Sequence, residues 1–217
     1  MEGDDLEKHF HSGLKVLDLE ENRVQSLGSF KYKDVVKNYI PVWPKFLEFL
    51  NKCDIHTLNL GKTGLNGSQF ELITVAISNK PYSCKSLKVL NLSNNKLDKE
   101  NAKLLAPAME ENTSIEFLDM SQNKLGVYGV TLLARALHKN KTLKGLNLFK
   151  NTLDVDGSRA LGEMLKVNST IEWLDVAHNR IRPSGLEAIS EGILKNKDCK
   201  IKTLGLRMNF INDDGFT

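Results

Sequence analysis

The sequence predicts an α/β solenoid of about seven stacked units, each adding one short strand to a parallel sheet and then a helix. Two observations carry this. A pattern that is apolar at positions 1, 4, 6 and 11, with asparagine at 9, starts at Leu87 (LKVLNLSNNKL), Ile115 (IEFLDMSQNKL), Leu143 (LKGLNLFKNTL) and Ile171 (IEWLDVAHNRI), at intervals of 28 residues. After each asparagine the apolar period changes from two to about 3.6, so a strand gives way to a helix.

Looser copies start at Leu14 (LKVLDLEENRV), Ile55 (IHTLNLGKTGL, with Thr63 in the asparagine position) and Ile201 (IKTLGLRMNFI). Within a unit the strand comes first: alternation turns Leu90 and Leu92 inward and Val89, Asn91 and Ser93 outward. Asn22, Asn95, Asn123, Asn151, Asn179 and Asn209 stand where the chain leaves the strand. A buried amide there can satisfy backbone groups that the turn leaves unpaired, a job Thr63 can do only in part. The helix follows, with one apolar face at Leu105 and Met109, Leu133 and Leu137, Leu161 and Leu165, and Ile189 and Ile193. Gly28, Gly129, Gly157, Gly185 and Gly215 recur six residues after the asparagine, where a missing Cβ would let the helix start approach its neighbour. A second series, Asn112, Asn140, Asn168 and Asn196, is expected to close the helices in left-handed backbone.

These motifs resemble the leucine-rich repeat family, and the 28-residue length with a full helix resembles its ribonuclease-inhibitor-like subclass. The resemblance spans about residues 14 to 216 and implies a horseshoe, with parallel strands on its concave face and helices on its convex face. Strands stack about 4.8 Å apart while helices need about 10 Å, so the sheet lies on the inside of the curve. The whole chain, 1–217, reads as one such domain, with residues 1–13 as a short N-terminal segment. From Leu14 to Ile55 is 41 residues, and the surplus lies at about 26–44. This insertion, with Pro41 and Pro44, is expected to form a loop or short helix ahead of the regular helix around Phe46 to Leu50. Pro107 is expected to bend the helix of the third unit. The seventh unit stops at Thr217 before its helix, which predicts either a longer protein or a partner covering that end, because an open sheet edge is otherwise exposed.

Composition narrows the function. With 41% hydrophobic and 26% charged residues the chain can bury a core, which excludes disorder. A net charge of +3 favours neither nucleic acid nor an anionic membrane as partner. No apolar run approaches a membrane span, and the acidic start Met1-Glu2-Gly3-Asp4-Asp5 is unlike a signal peptide, so the chain reads as cytoplasmic, with nuclear or cytoskeletal association open. Cys53, Cys84 and Cys199, an odd number with no CxxC, fit a reducing compartment. The sequons at Asn66, Asn91, Asn112 and Asn168 then read as coincidences, two of them inside the repeat's own asparagine series.

No catalytic set emerges. Gly61-Lys62-Thr63 resembles the end of a phosphate loop, but His56 stands where that loop needs glycine. His9, His11, His56, His138 and His178 fall at unrelated repeat positions without ligand spacing. No cofactor, metal or enzymatic activity is therefore expected.

The outward strand positions are free of the scaffold's demands. There Phe117, Phe149 and Trp173 crowd into adjacent units beside Asp119 and Asp175, with Arg207 in the last unit. Aromatic anchors beside charges are the pattern of protein-interface hot spots. The sequence therefore predicts a non-catalytic scaffold that binds a protein on its concave face, with the loop around Tyr39 and Trp43 as the alternative surface. Aromatics packed on one another across the strands are the structural alternative. A second functional reading comes from the stretch KNYIPVWPKFLEFLNKCDIHTLNL, which is similar to the early insertion of the Ran GTPase-activating protein family and implies a small GTPase partner. Ser26 to Pro44 holds Lys31, Lys33 and Lys37 but no arginine, and lysine lacks the bidentate guanidinium that phosphoryl transfer calls on. A third reading is a structural adaptor subunit of a cytoskeletal or ciliary assembly.

Overall fold

A strand of three residues leaves most of its backbone groups unpaired, so it persists only when neighbours complete it. The computed structural model, which describes residues 14–22, 42–65, 67–78 and 83–211, shows how. Strands and helices alternate as β1 (Val16–Asp18), α1 (Val42–Lys52), β2 (Thr57–Asn59), α2 (Gly67–Ile77), β3 (Val89–Asn91), α3 (Lys99–Glu111), β4 (Phe117–Asp119), α4 (Gly126–Leu137), β5 (Gly145–Asn147), α5 (Asp154–Leu165), β6 (Trp173–Asp175), α6 (Arg182–Lys195) and β7 (Thr203–Gly205). The strands form one parallel sheet in chain order, β1 through β7. Third positions stack in register, with Phe117 beside Gly145 and Gly145 beside Trp173. Pairing continues past the strands: Leu92 N donates to Asp119 O at 2.8 Å and Asn94 N to Ser121 O at 2.9 Å.

The inward leucines form the core, and Leu118, Leu146 and Leu174 are fully buried. The buried asparagines act across units as well as within them. Asn123 Nδ2 donates to Met120 O in its own unit (2.9 Å) and to Leu92 O in the preceding one (3.0 Å), while its Oδ1 accepts from Asn95 N and Leu97 N at 3.0 Å each. Thr63 reaches Leu60 O at 2.7 Å within its own unit. At the first unit Asn22 is exposed and its amide donates within its own turn, to Leu19 O and Glu20 O.

The turn relies on a feature that the sequence reading missed. Position 8, just before the asparagine, is left-handed in every unit: Glu21, Lys62, Asn94, Gln122, Lys150, His178 and Met208 have φ between 52° and 61°. Left-handed backbone swings the chain out of the strand, and the buried amide next door holds it there.

The second asparagine series works differently from expectation. None of Asn112, Asn140, Asn168 and Asn196 has a positive φ, and Asn112 and Asn196 are extended. Their amides form a second ladder along the helix ends instead. Asn140 Nδ2 donates to Met109 O at 2.7 Å and Asn112 O at 3.0 Å, and its Oδ1 accepts from Thr142 N and Leu143 N. A donor reaching back one unit explains asparagine here, where conformational tolerance does not. Asn112 and Asn168, both buried, are thereby committed as well.

Helix α1 begins at Val42, so Pro44 lies in its first turn rather than in the insertion. The rest of that insertion, residues 26–41, lies outside the described residues. Helix α3 runs on through Pro107 to Glu111. Of the recurrent glycines, Gly129 and Gly185 show the expected close approach: a Cβ would lie 3.2 Å from Ala102 Cβ on α3 at the first and 3.0 Å from Ser158 Cβ on α5 at the second. Gly28 and Gly215 lie outside the described residues. The tightest helix contact is elsewhere, at Gly162 and Gly192, where α5 and α6 meet backbone to backbone. A Cβ on Gly192 would stand 2.2 Å from Gly162 O. Gly192→Ala should therefore cost about 1–3 kcal/mol of stability by forcing the helices apart. A urea midpoint equal to that of the parent would show that the helices can separate without penalty.

Candidate functional site

The outward strand positions make the concave face, and one missing side chain organises it. Gly145 on β5 is buried beneath the Phe117 ring: a Cβ there would lie 2.3 Å from Phe117 Cδ2. Strands β4 and β6 are about 10 Å apart at the backbone, yet the rings of Phe117 and Trp173 lean into the gap until their centroids are 5.4 Å apart, tilted by 38°. Both are half-buried. Phe149 does not join them. It meets the exposed His178 edge-on, with centroids 5.8 Å apart, nearer the loop end of the strands. The three aromatics expected as one cluster thus form two pairs, and Gly145 and His178 are the members that the sequence reading missed. A glycine in an outward strand position between two aromatic ones was the available signal.

Asp119 and Asp175 flank the pair but are partly spent. Asp119 Oδ1 accepts from Ser121 N at 2.8 Å and Oδ2 from Asn147 Nδ2 at 3.1 Å. Asp175 Oδ1 accepts from Ala177 N at 2.8 Å and fills the space left open by Gly205, where a Cβ would stand 2.4 Å from it. Asp18, Asn59, Asn91 and Asn147 make the same bond two residues on. The aspartates therefore shape the turn. Arg207 is exposed on the last unit, its carbonyl accepting from His178 N at 2.8 Å. Of the alternative surface, Trp43 falls in the first turn of α1, its side chain outside the described residues, as is Tyr39.

The two edges of the sheet differ in charge. Where the chain enters the strands, Lys88, Glu116, Lys144, Glu172 and Lys202 alternate in sign from unit to unit. Lys88 and Lys144 both reach Glu116, at 3.3 and 2.7 Å, and Lys202 reaches Glu172 at 2.6 Å. Hydrogen bonds from Lys144 and then Lys88 hold the Glu116 carboxyl below the usual carboxylate range, and Lys202 does the same for Glu172. Where the chain leaves the strands, Lys96, Lys124, Lys150, Arg180 and Arg207 are exposed. Among the described residues none of these five has an acidic partner within ion-pair distance.

Other candidate chemistry resolves into structure. Lys62 pairs with Glu21 at 2.7 Å and Thr63 is buried, so Gly61-Lys62-Thr63 is part of a turn. Cys53 and Cys84 are buried in neighbouring units, and burial together with the neighbouring Cys84 pushes the Cys53 thiol up. Among the described residues no group of three or more His, Cys, Asp or Glu could hold a metal ion, and no helix is long and apolar enough to cross a membrane.

With this geometry in place, the comparisons fall on the repeating unit. A family model described as Leucine Rich repeat matches residues 83–106, 111–134 and 167–190. Each match opens four residues before a strand pattern, at Leu87, Ile115 and Ile171.

These units are leucine-rich repeats.

No curated protein matches the chain in sequence. Among solved structures, the actin-binding site 2 of leiomodin-1 superposes with a TM-score of 0.54 at 17% identity, over 74% of this chain and 92% of that one. The tropomodulin C-terminal domain from Caenorhabditis elegans superposes with a TM-score of 0.58 at 14% identity, over 71% of this chain and 92% of that one. At these identities the likeness is one of fold. Every unit of this leucine-rich repeat array presents one outward strand triplet, so a partner that spans several units reads side chains 28 residues apart in sequence.

Proposed function

We propose that this leucine-rich repeat chain is a non-catalytic protein-interaction scaffold whose partner docks on the concave face over Phe117 and Trp173. The observation that supports it is the aromatic pair itself: two large rings, tilted together over Gly145 and half-buried, at the centre of units four to six. A preformed aromatic platform offers a large apolar area with little side-chain freedom left to lose on binding. The second oxygen of Asp175 stands beside it as an acceptor for donors on the partner, backbone N–H groups included. Comparable solved structures include an actin-binding site, which agrees with a protein-binding role for the fold but does not carry actin binding over to this chain. The GTPase-activating reading gains no support, since Ser26 to Pro44, where an arginine would be needed, holds only lysines as basic residues and lies mostly outside the described residues.

Trp173→Ala should weaken partner binding by about 2 kcal/mol or more. Its effect on stability should stay within about 0.5–1.5 kcal/mol, the worth of one aromatic pair. A pull-down comparing Trp173→Ala with Trp43→Ala tests the site: loss with the second alone would move the functional surface to the loop.

A further inference from the structure

We infer that the edge where the chain leaves the strands is a docking strip for an acidic, extended segment of the partner protein, anchored by an apolar residue on the concave floor. The inference rests on the concave-face reading and names the chemistry of what binds there. Three observations converge on it.

The first is charge without neutralisation. Lys96, Lys124, Lys150, Arg180 and Arg207 place one exposed cation in each of units three to seven, none with an acidic partner among the described residues. The acids nearest along the chain are committed. Asp98 Oδ1 accepts from Glu100 N and Asn101 N, Asp154 Oδ1 accepts from Val155 N at 2.8 Å, and Asp156 pairs with Arg159 at 2.7 Å. At the opposite edge the alternating lysines and glutamates neutralise one another. The array is thus self-compensated at one edge and carries cations without acidic partners among the described residues at the other, charge that an anionic partner would neutralise.

The second is register. Lys96, Lys124 and Arg180 hold position 10 of units three, four and six, Lys150 position 8 of unit five and Arg207 position 7 of unit seven, all on the segment that follows the strand. Units follow at about 4.8 Å at the backbone. Lys124 and Arg180, at the same position two units apart, are therefore about 10 Å apart there, a distance that an extended chain covers in about three residues. The matching segment carries a carboxylate roughly every third residue.

The third is continuity with the floor. The Phe149 ring sits edge-on to His178, and Arg207 follows on the next unit, so cations and aromatics form one surface leading to Phe117 and Trp173. This juxtaposition favours a peptide over a polyphosphate. Nucleic acid on the same surface would bring its phosphates against the carboxylates of Asp119 and Asp175, and a flat bilayer does not follow the inside of a curved array. An acidic peptide places its side chains on the strip and its apolar anchor and backbone donors on the floor.

The test is selection of a displayed random twelve-residue peptide library on the immobilised chain, followed by fluorescence anisotropy of the enriched peptides. The same titration is run with a twenty-nucleotide single-stranded DNA and with vesicles containing phosphatidylserine. Expected are peptides of net negative charge with an aromatic or aliphatic residue. Their affinity should fall at least tenfold in the double variant Arg180→Glu, Arg207→Glu, and should fall with added salt. The double variant Lys85→Glu, Lys141→Glu, two exposed lysines elsewhere on the array, should change it less than twofold. Circular dichroism confirms that both variants fold. Enriched peptides that are neutral or basic yet lose binding with Trp173→Ala would overturn the acidic strip and leave the concave site standing. Acidic peptides indifferent to Trp173→Ala but released by the Arg180, Arg207 variant would keep the strip and discard the concave anchor. Binding of DNA or vesicles in preference to any peptide, or equal losses with both charge variants, would overturn the proposal.

Discussion

Leu146→Ala should destabilise the fold by about 2–5 kcal/mol, among the two largest losses expected for any single substitution here. Leu146 is fully buried and lies in register between Leu118 and Leu174. Truncating it opens a cavity that faces two neighbouring units at once, in a close-packed interior that fills such space only in part. The array adds a second consequence. In a stack where each unit touches only its neighbours, stability is a sum of unit and interface contributions, so a defect at the fifth unit uncouples the units on either side. Urea unfolding followed by circular dichroism should show a lower midpoint and a broader transition. Leu17→Ala, at the half-buried leucine of the first strand, is the comparison, because it has a described unit on one side only. Equal losses from the two variants would contradict the stacking register.

Asn95→Ala should cost a comparable amount, about 2–5 kcal/mol, by stranding several buried backbone groups together. Asn95 Nδ2 donates to Leu60 O at 2.7 Å and to Leu92 O and Ser93 O at 3.1 Å, while its Oδ1 accepts from Thr63 N, Gly64 N and Leu65 N between 2.8 and 3.2 Å. It therefore serves the second unit, where the Thr63 hydroxyl donates to Leu60 O and to Asn95 itself, as well as the third. Asn95→Asp separates the two roles, since it keeps the acceptor and turns the donor into a carboxylate facing three carbonyls. It should be at least as damaging as alanine. If aspartate instead restores the parent's midpoint at neutral pH, the carbonyl contacts contribute nothing.

Much of this was legible in one dimension. The 28-residue period, the change of apolar spacing and the recurrent asparagines each belong to a pattern contained within a single unit, and the seven parallel strands follow it. The outward positions were legible too, because alternation along a strand decides which face a side chain takes whatever stacks beside it. Harder to read was anything that needed the backbone angle of a residue without a telling side chain. The left-handed position 8 is filled by Glu, Lys, Asn, Gln, Lys, His and Met in turn, so no residue type announces it. The helix-closing asparagines showed the converse: residue and place were evident, and the role was misread, because the same amide can favour a left-handed turn or reach back to carbonyls of the preceding unit.

By itself the sequence determined the unit, its count and the side of the strand on which each residue lies, since these depend on neighbours within a few residues along the chain. The tertiary structure alone decided what each outward side chain meets. Phe117 and Trp173 touch because 56 residues of sequence separate them while only the bare Gly145 separates them in the sheet. Gly162 and Gly192 meet because two helices happen to lack a Cβ at one crossing. Lys144 is neutralised while Lys150, six residues on, is not, because the first stands beside Glu116 in the preceding unit and the second beside no acid among the described residues. In a stacked array a surface side chain takes its surroundings from one period above and one below, and those partners are set by register in space.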